Sequence, residues 1–354
     1  MKGHSKINPL QERIQMKKLS ILLLAFTMLA ATLSACGGGS KASKENKLVV
    51  YSPNSEEIVK TIIPMFEKQT GITVELVTAG TGEIIKRIQS EKSNPYADVM
   101  FGGSMAGYLA NAELYEPYVS PNDEFLMEGH RNRDGFATAY IADGSVLLVN
   151  TNLVGDIKID SYADLLNPAL KGKIASADPA SSSSAFAQLT NMLKAMGGDY
   201  ESEAGWNYVG ELIKNLDGKI ASGSGAVHKS VADGEYVVGL TYEDPSSTYV
   251  RNGAPVKVVY PKEGAVFLDA ASGIIKGAPH LDNAKKFIDF ILSKEAQDAF
   301  GSQLTNRPLR KDAQLGDYMT PYSDINMIDE DTKYVSEHKS KIVETYTDLF
   351  ASLQ

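Results

Sequence analysis

Three short β-rich runs near the start of the chain each stop at a polar, turn-forming segment that leads into a helical pattern. Leu48-Val49-Val50-Tyr51 stops at Ser52, and Pro53-Asn54 follow before Ser55, which is placed to N-cap a helix from Glu56. Ile72-Thr73-Val74-Glu75-Leu76-Val77 gives way to Ala79-Gly80-Thr81-Gly82, and Ala97-Asp98-Val99-Met100-Phe101 to Gly102-Gly103-Ser104. Strand, polar turn and helix N-terminus is the pattern from which an α/β fold builds ligand sites at the carboxyl edge of its sheet. Free N–H groups and the helix dipole favour an anion there. A single exit of this kind is an ordinary βα turn, and the two-glycine loop at Thr81 and Gly82 taken alone reads as structural. Three exits in succession make Ser52, Thr81, Gly82 and Ser104 candidate ligand contacts.

The leader narrows the compartment. Met16-Lys17-Lys18 is a basic n-region, and the apolar stretch 19–30 is too short for a spanning helix. Leu33-Ser34-Ala35-Cys36-Gly37 resembles a bacterial lipobox, in which the cysteine thiol takes a diacylglycerol and becomes the mature N-terminus. We therefore expect a signal peptide over 1–35, with 1–15 an extension ahead of a better start at Met16. Lipidation is expected at Cys36, and a Gly/Ser/Lys-rich tether over 36–46. Cys36 is the sole cysteine, so its acylation excludes intrachain disulfides and thiolate metal sites.

Composition excludes other classes. The 354 residues are 43% hydrophobic and 22% charged, ordinary for a globular chain and long enough for two domains. The net charge is −9 and no Lys/Arg cluster follows the leader, which excludes a nucleic-acid partner. G-x-S-x-G, H-E-x-x-H and Cys/His constellations are missing, so the chain is expected not to be an enzyme and to need no cofactor.

Further along, 136–150 reads as two extended segments around Asp143-Gly144, 162–168 as a helix stopped by Pro168, and 173–175 as a strand. Ser181-Ser182-Ser183-Ser184 abuts the helical pattern Phe186, Leu189, Met192, Leu193, and reads as a cap with spare hydroxyls. Trp206 reads as packing. A helix near His228 precedes a strand over 237–242 that Glu243-Asp244-Pro245 would end. Val256–Tyr260 is another strand, 266–275 a crossing segment, and Asp282 a helix cap. Arg307-Pro308 lies in a loop, and a last helix spans about 330–350.

Several separated motifs resemble one family in the same order. They are Tyr51-Ser52; Phe66-Glu67-Lys68-Gln69-Thr70-Gly71-Ile72; Ala97-Asp98-Val99; Asp164-Leu165-Leu166-Asn167-Pro168 with Lys171-Gly172-Lys173-Ile174-Ala175; Asp233-Gly234-Glu235-Tyr236 with Gly239-Leu240; and Ala284-Lys285-Lys286-Phe287-Ile288-Asp289-Phe290. The chain is similar to bacterial ABC-importer solute-binding lipoproteins of the type II periplasmic-binding fold. The branch holds ferric-ion, hexose-phosphate, phosphoglycerate and 2-aminoethylphosphonate binding proteins. The resemblance implies an α/β fold of two lobes with ligand in the cleft between them. Lobe 1 would hold 47–141 and 264–305, and lobe 2 146–262 and about 306–354. It also implies hinge closure, an ABC permease with its ATPase as partner, a monomer, and an extracytoplasmic place on the cell membrane.

Ferric members of the family use adjacent tyrosines where this chain has Thr241-Tyr242-Glu243-Asp244, a single Tyr, so no metal site is assigned. An oxygen-rich metal site stays open as an alternative, as does presentation of ligand to a membrane sensor kinase. Ser52, Thr81, Ser104, Ser182 and Ser183 supply hydroxyls at helix starts, which suit a phosphoryl or phosphonate group. Glu243 and Asp244 would repel that group and face the other end of a bipolar ligand, a sugar or an ammonium. Tyr242 and His228 lie beside them; His228 reads equally as a core or surface residue. Asp98 and Asp143 read as turn or hinge structure, and Lys229 as solvated.

Overall fold

The computed structural model describes residues 46–353 except Ser222. The expected signal peptide, the expected lipidation site at Cys36 and all but the last residue of the expected tether lie outside the described residues. The chain opens as read from its pattern: β1 (Lys47–Ser52), α1 (Glu56–Thr70), β2 (Thr73–Thr78), α2 (Thr81–Ser90), β3 (Val99–Ser104) and the short α3 (Met105–Leu109). Ile58, Ile62 and Phe66 bury one face of α1, and Gly71 ends it. Ser55 stands at the N-cap without a side-chain bond.

β4 (Thr138–Asn150) is one 13-residue strand, where Asp143-Gly144 predicted a break. Ladder pairing with β8 overrides the turn preference. Asp143 and Gly144 pair with Leu268 and Phe267 of β8 (Phe267–Ile274). From Ser145 onward β4 pairs with β6 (Val238–Tyr242), and from Leu147 also with β7 (Val256–Val259). With β5 (Ile174–Ala175) the sheet path runs β2-β1-β3-β8-β4-β6-β5.

This one strand serves two cores. Its first half gives Ala139, Tyr140, Ile141 and Ala142 to a core with Phe66, Phe101, Phe287 and Phe300. Phe66 meets Phe287 edge-on at 5.1 Å, a favoured aromatic geometry. Its second half gives Leu147 and Val149 to a core with Tyr162, Leu189, Tyr208, Leu212 and Leu240. The second core is built on α4 (Ser183–Gly197) and α5 (Glu203–Leu216), and α10 (Thr332–Ser352) covers it with Val335, Ile342 and Tyr346. Trp206 packs against the same core and donates to Tyr200 O at 3.1 Å.

Several elements differ from expectation. Segment 162–168 forms short 3-10 turns, Ala163–Leu166 and Pro168–Leu170. Glu243-Asp244-Pro245 ends β6 but opens a helix, α7 (Glu243–Arg251), after α6 (Ser224–Ala232). Pro245 falls in the first turn of α7, where no N–H is needed. The helix after β8, α8 (Leu281–Ile291), has His280 rather than Asp282 at its N-cap, and α9 (Lys294–Ser302) follows it. Asp98 accepts from Val49 N–H and His280 N–H, both at 2.7 Å, which ties β1 to the start of α8.

The expected boundary at 305/306 falls too early. β9 (Arg307–Pro308) pairs with Ala142 and Ile141 of β4, and Leu309 lies in the first core. The buried Gln297 holds this segment: its Oε1 accepts from Leu309 and Arg310 N–H, and its Nε2 donates to Tyr140 O. Tyr318 still donates to Leu304 O at 2.5 Å. The chain then crosses to the second lobe beside Ala265, which accepts from Ile328 N–H at 3.1 Å. Among the described residues, three segments run between the two cores: β4 at 143–145, 260–266, and 320–330.

Candidate functional site

The first wall of the cleft is made where β1, β3 and α2 meet. Ser52 is wholly buried; its hydroxyl donates to Phe101 O at 2.7 Å and accepts from Asn54 N–H at 3.2 Å. Asn54 adds a second bond to Phe101 O at 3.1 Å and accepts from the Tyr140 hydroxyl at 2.9 Å. Gly102 has φ +112°, and a Cβ there would fall 2.6 Å from Asn54 Oδ1, so only glycine lets these exits approach. Gly103 lies against the Thr81 methyl, and Thr81 and Gly82 are the first two residues of α2. Ser104 caps the five-residue α3 by accepting from Gly107 N–H at 3.3 Å. The three exits share one edge, but Ser52 joins them from within rather than presenting a free hydroxyl. Local pattern marks Asn54 only as a turn residue; its two bonds to this edge appear only in the fold.

The second wall holds a pocket of about 440 Å³ lined by Ser181–Ser184, Gly223, Ser224 and Tyr242. Ser182 caps the 15-residue α4 by accepting from Ala185 N–H at 3.3 Å, and its hydroxyl lies 3.2 Å from that of Ser184. The starts of α6 and α7 lie beside it through Ser224 and Tyr242. Burial, then the charges of Asp143 and Asp244, push the Tyr242 phenol up to about 12, so it stays a neutral donor. His228 stands outside the lining, 6.1 Å from the Tyr242 ring, with Nδ1 3.4 Å from Thr241 Oγ1. Burial lowers its pKa and keeps it neutral. Lys229 is exposed and pairs with Asp233.

The acidic residues after Tyr242 behave unlike the sequence expectation. Glu243 is 1% exposed and its carboxylate is held by the Arg307 guanidinium through Nε at 2.7 Å and through Nη2. The Tyr260 hydroxyl donates to it as well. Its carboxylate is therefore fully engaged inside the protein and is not free to meet the far end of a ligand. Arg307, itself 0% exposed, lies 4.6 Å from the Tyr322 ring and 5.3 Å from that of Phe267. Arg307 and Glu243 are 64 residues apart, and nothing in either local pattern marks the pair. Asp244 accepts from the Thr305 hydroxyl at 2.5 Å. Asp143, on the crossing strand, accepts from Asp244 N–H at 3.2 Å and so caps α7 from outside it. Burial, then Asp244 and Glu243, raise its pKa well above the carboxylate range.

Among the described residues no group of three or more His, Cys, Asp or Glu could hold a metal ion. The second-lobe pocket can hold a small polar molecule, since it is lined by hydroxyls and by the starts of α4 and α6. The fold has the architecture of the two-lobed type II periplasmic-binding proteins, in which closure about a hinge traps solute. The family model described as "Bacterial extracellular solute-binding protein" matches residues 48–303, and the chain belongs to that family. A Salmonella typhimurium protein with the provisional name 2-aminoethylphosphonate-binding periplasmic protein is 27% identical over 71% of this chain and 74% of its own. Iron uptake protein A1 of Synechocystis is 26% identical over 86% of this chain and 91% of its own. Among solved structures, the periplasmic binding protein AfuA from Actinobacillus pleuropneumoniae, with exogenous fructose-6-phosphate bound, superposes with a TM-score of 0.70. It is 27% identical and covers 86% of this chain and 98% of that one. The protein is thus an extracytoplasmic solute-binding component of an ABC-type system, a binding protein rather than an enzyme.

Proposed function

We propose that the protein captures a small organic phosphate or phosphonate, closes on it, and delivers it to an ABC permease from a lipid anchor at Cys36. The observation that carries this is the chemistry of the second-lobe pocket. Ser181–Ser184 at the start of α4, Ser224 and Tyr242 offer neutral donors around one space. A dianion there meets hydroxyls and the positive end of a long helix. The carboxylate next in sequence, Glu243, is neutralised by Arg307 and does not repel it. Likeness to a sugar-phosphate-bound structure and to a phosphonate-named relative supports the same class.

A second reading is ferric-ion carriage. It is favoured by the Tyr242 phenol, a hard oxygen donor at the pocket, and by an iron-uptake relative as broadly similar as the phosphonate-named one. Thermal unfolding of the purified protein separates the two. A ligand at a thousandfold excess over Kd adds about 4 kcal/mol of stability, which for a chain of this size raises Tm by several degrees. Hexose phosphates, phosphoglycerates, 2-aminoethylphosphonate, free sugars, polyamines and ferric citrate would be compared. We expect a phosphorylated or phosphonate compound to raise Tm, its dephosphorylated counterpart to leave it unchanged, and Ser182→Ala to weaken all such ligands alike. A stoichiometric visible tyrosinate–iron band with ferric citrate would replace this reading by the second.

A further inference from the structure

We propose that α7 carries an inter-lobe latch, separate from the ligand pocket, that holds the lobes together before ligand arrives. Asp244, Thr248 and Arg251 are spaced i, i+4, i+7 and therefore lie on one face of α7. Each side chain on that stripe bonds a group of the first lobe. Asp244 accepts from the Thr305 hydroxyl at 2.5 Å, and Thr248 Oγ1 lies 2.8 Å from the same oxygen. Arg251 reaches Glu57 in the first turn of α1 at 2.8 Å and Gln303 O at 2.9 Å. The partners come from two places in the first lobe, the start of α1 and the segment that follows α9. The stripe begins beside the buried Glu243–Arg307 pair and ends at a partly exposed ion pair whose side chains are 25% and 53% exposed.

The physical consequence is a bias on the opening equilibrium. Those α7 bonds to the first lobe that separate on opening stabilise the engaged form by their net free energy and leave the open form unaffected. The stripe needs no ligand atom to complete it. The exposed ion pair contributes weakly and is screened by salt. The bond from Thr305, which is 2% exposed, to Asp244 is more sheltered from water and contributes more.

The test reads the lobes directly in ligand-free protein. In the full chain carrying Cys36→Ser, which leaves no native thiol, exposed Lys86→Cys on α2 and Glu203→Cys on α5 accept spin labels for pulsed dipolar distance measurement. The parent should show one dominant distance. Arg251→Ala, or Glu57→Gln, should raise the population at longer distance about twofold to fivefold, and 1 M salt should do the same to the parent. Arg251→Ala combined with Thr305→Val should raise it about tenfold or more. Identical distance distributions in the parent and in both single variants would overturn the latch, even if the combined variant failed to fold. The measurement uses no ligand, so its failure leaves the phosphate assignment standing, and failure of the phosphate assignment leaves the latch standing.

Discussion

Single side chains carry the sharpest consequences of this fold. The Glu243–Arg307 pair is withdrawn from water, and removal of one member leaves a buried charge without its partner. Such losses cost about 3–5 kcal/mol, whereas replacement of both members by apolar residues of similar volume is often neutral. Glu243→Gln should therefore lower the urea midpoint strongly, and Glu243→Leu with Arg307→Met should recover most of the loss. A midpoint unchanged by Glu243→Gln would show the pair to be energetically idle. Asp143 gives the opposite sign with pH. Its folded pKa is raised, so the contribution it makes is fully present below the unfolded carboxylate pKa of about 4 and is lost as pH rises through the folded value. Asp143→Asn keeps an acceptor for Asp244 N–H and removes that loss. Urea titrations from about pH 4 to pH 8 should show a flatter stability profile in the variant, with its relative gain greatest at the alkaline end. Equal profiles would mean that Asp143 ionises as freely in the folded chain as in the unfolded one.

Elements show how far periodicity reads and where it stops. Helices expected after Glu56, after Thr81 and at the end of the chain all form, and each buries residues at helical spacing: Ile58, Ile62 and Phe66 in α1; Ile84 and Ile88 in α2; Ile342 and Tyr346 in α10. β4 and α7 depart from their local pattern because tertiary bonds override local propensity in both. Asp143-Gly144 favours a turn in isolation, yet the ladder with β8 runs through both residues and the ladder with β6 begins at Ser145, which keeps the segment extended. Glu243-Asp244-Pro245 looks like a strand terminator, yet it is a helix start whose cap comes from Asp143, about a hundred residues earlier. The last helix gives a prediction at this scale. Ile342 is buried between α10 and the second core, and Ile342→Ala removes methyl groups and leaves a cavity worth about 3 kcal/mol. Urea unfolding followed by far-UV circular dichroism should show that loss; a shift within about 0.5 kcal/mol would mean that α10 is not needed to close the core.

At the scale of the molecule, attachment and closure decide how the protein works. If Cys36 is the lipidation site, Cys36→Ser should move the protein from the membrane fraction into the soluble one, and unchanged membrane retention would dismiss the anchor. The order of strands and helices, the strand-end hydroxyls and the family motifs follow from short-range pattern, because hydrophobic period and turn chemistry act over a few residues. That much the amino-acid sequence determined alone, including the Ser181–Ser184 helix start that lines the pocket. The tertiary structure alone decided which polar groups remain available to a ligand. Ser52 and Glu243 lie at strand ends as expected, but Phe101 O takes the hydroxyl of one, and Arg307 takes the carboxylate of the other. Those partners lie 49 and 64 residues away. No local signal encodes a pairing at that distance, because it arises only when β1 meets β3 and when β9 docks on β4 beside the start of α7.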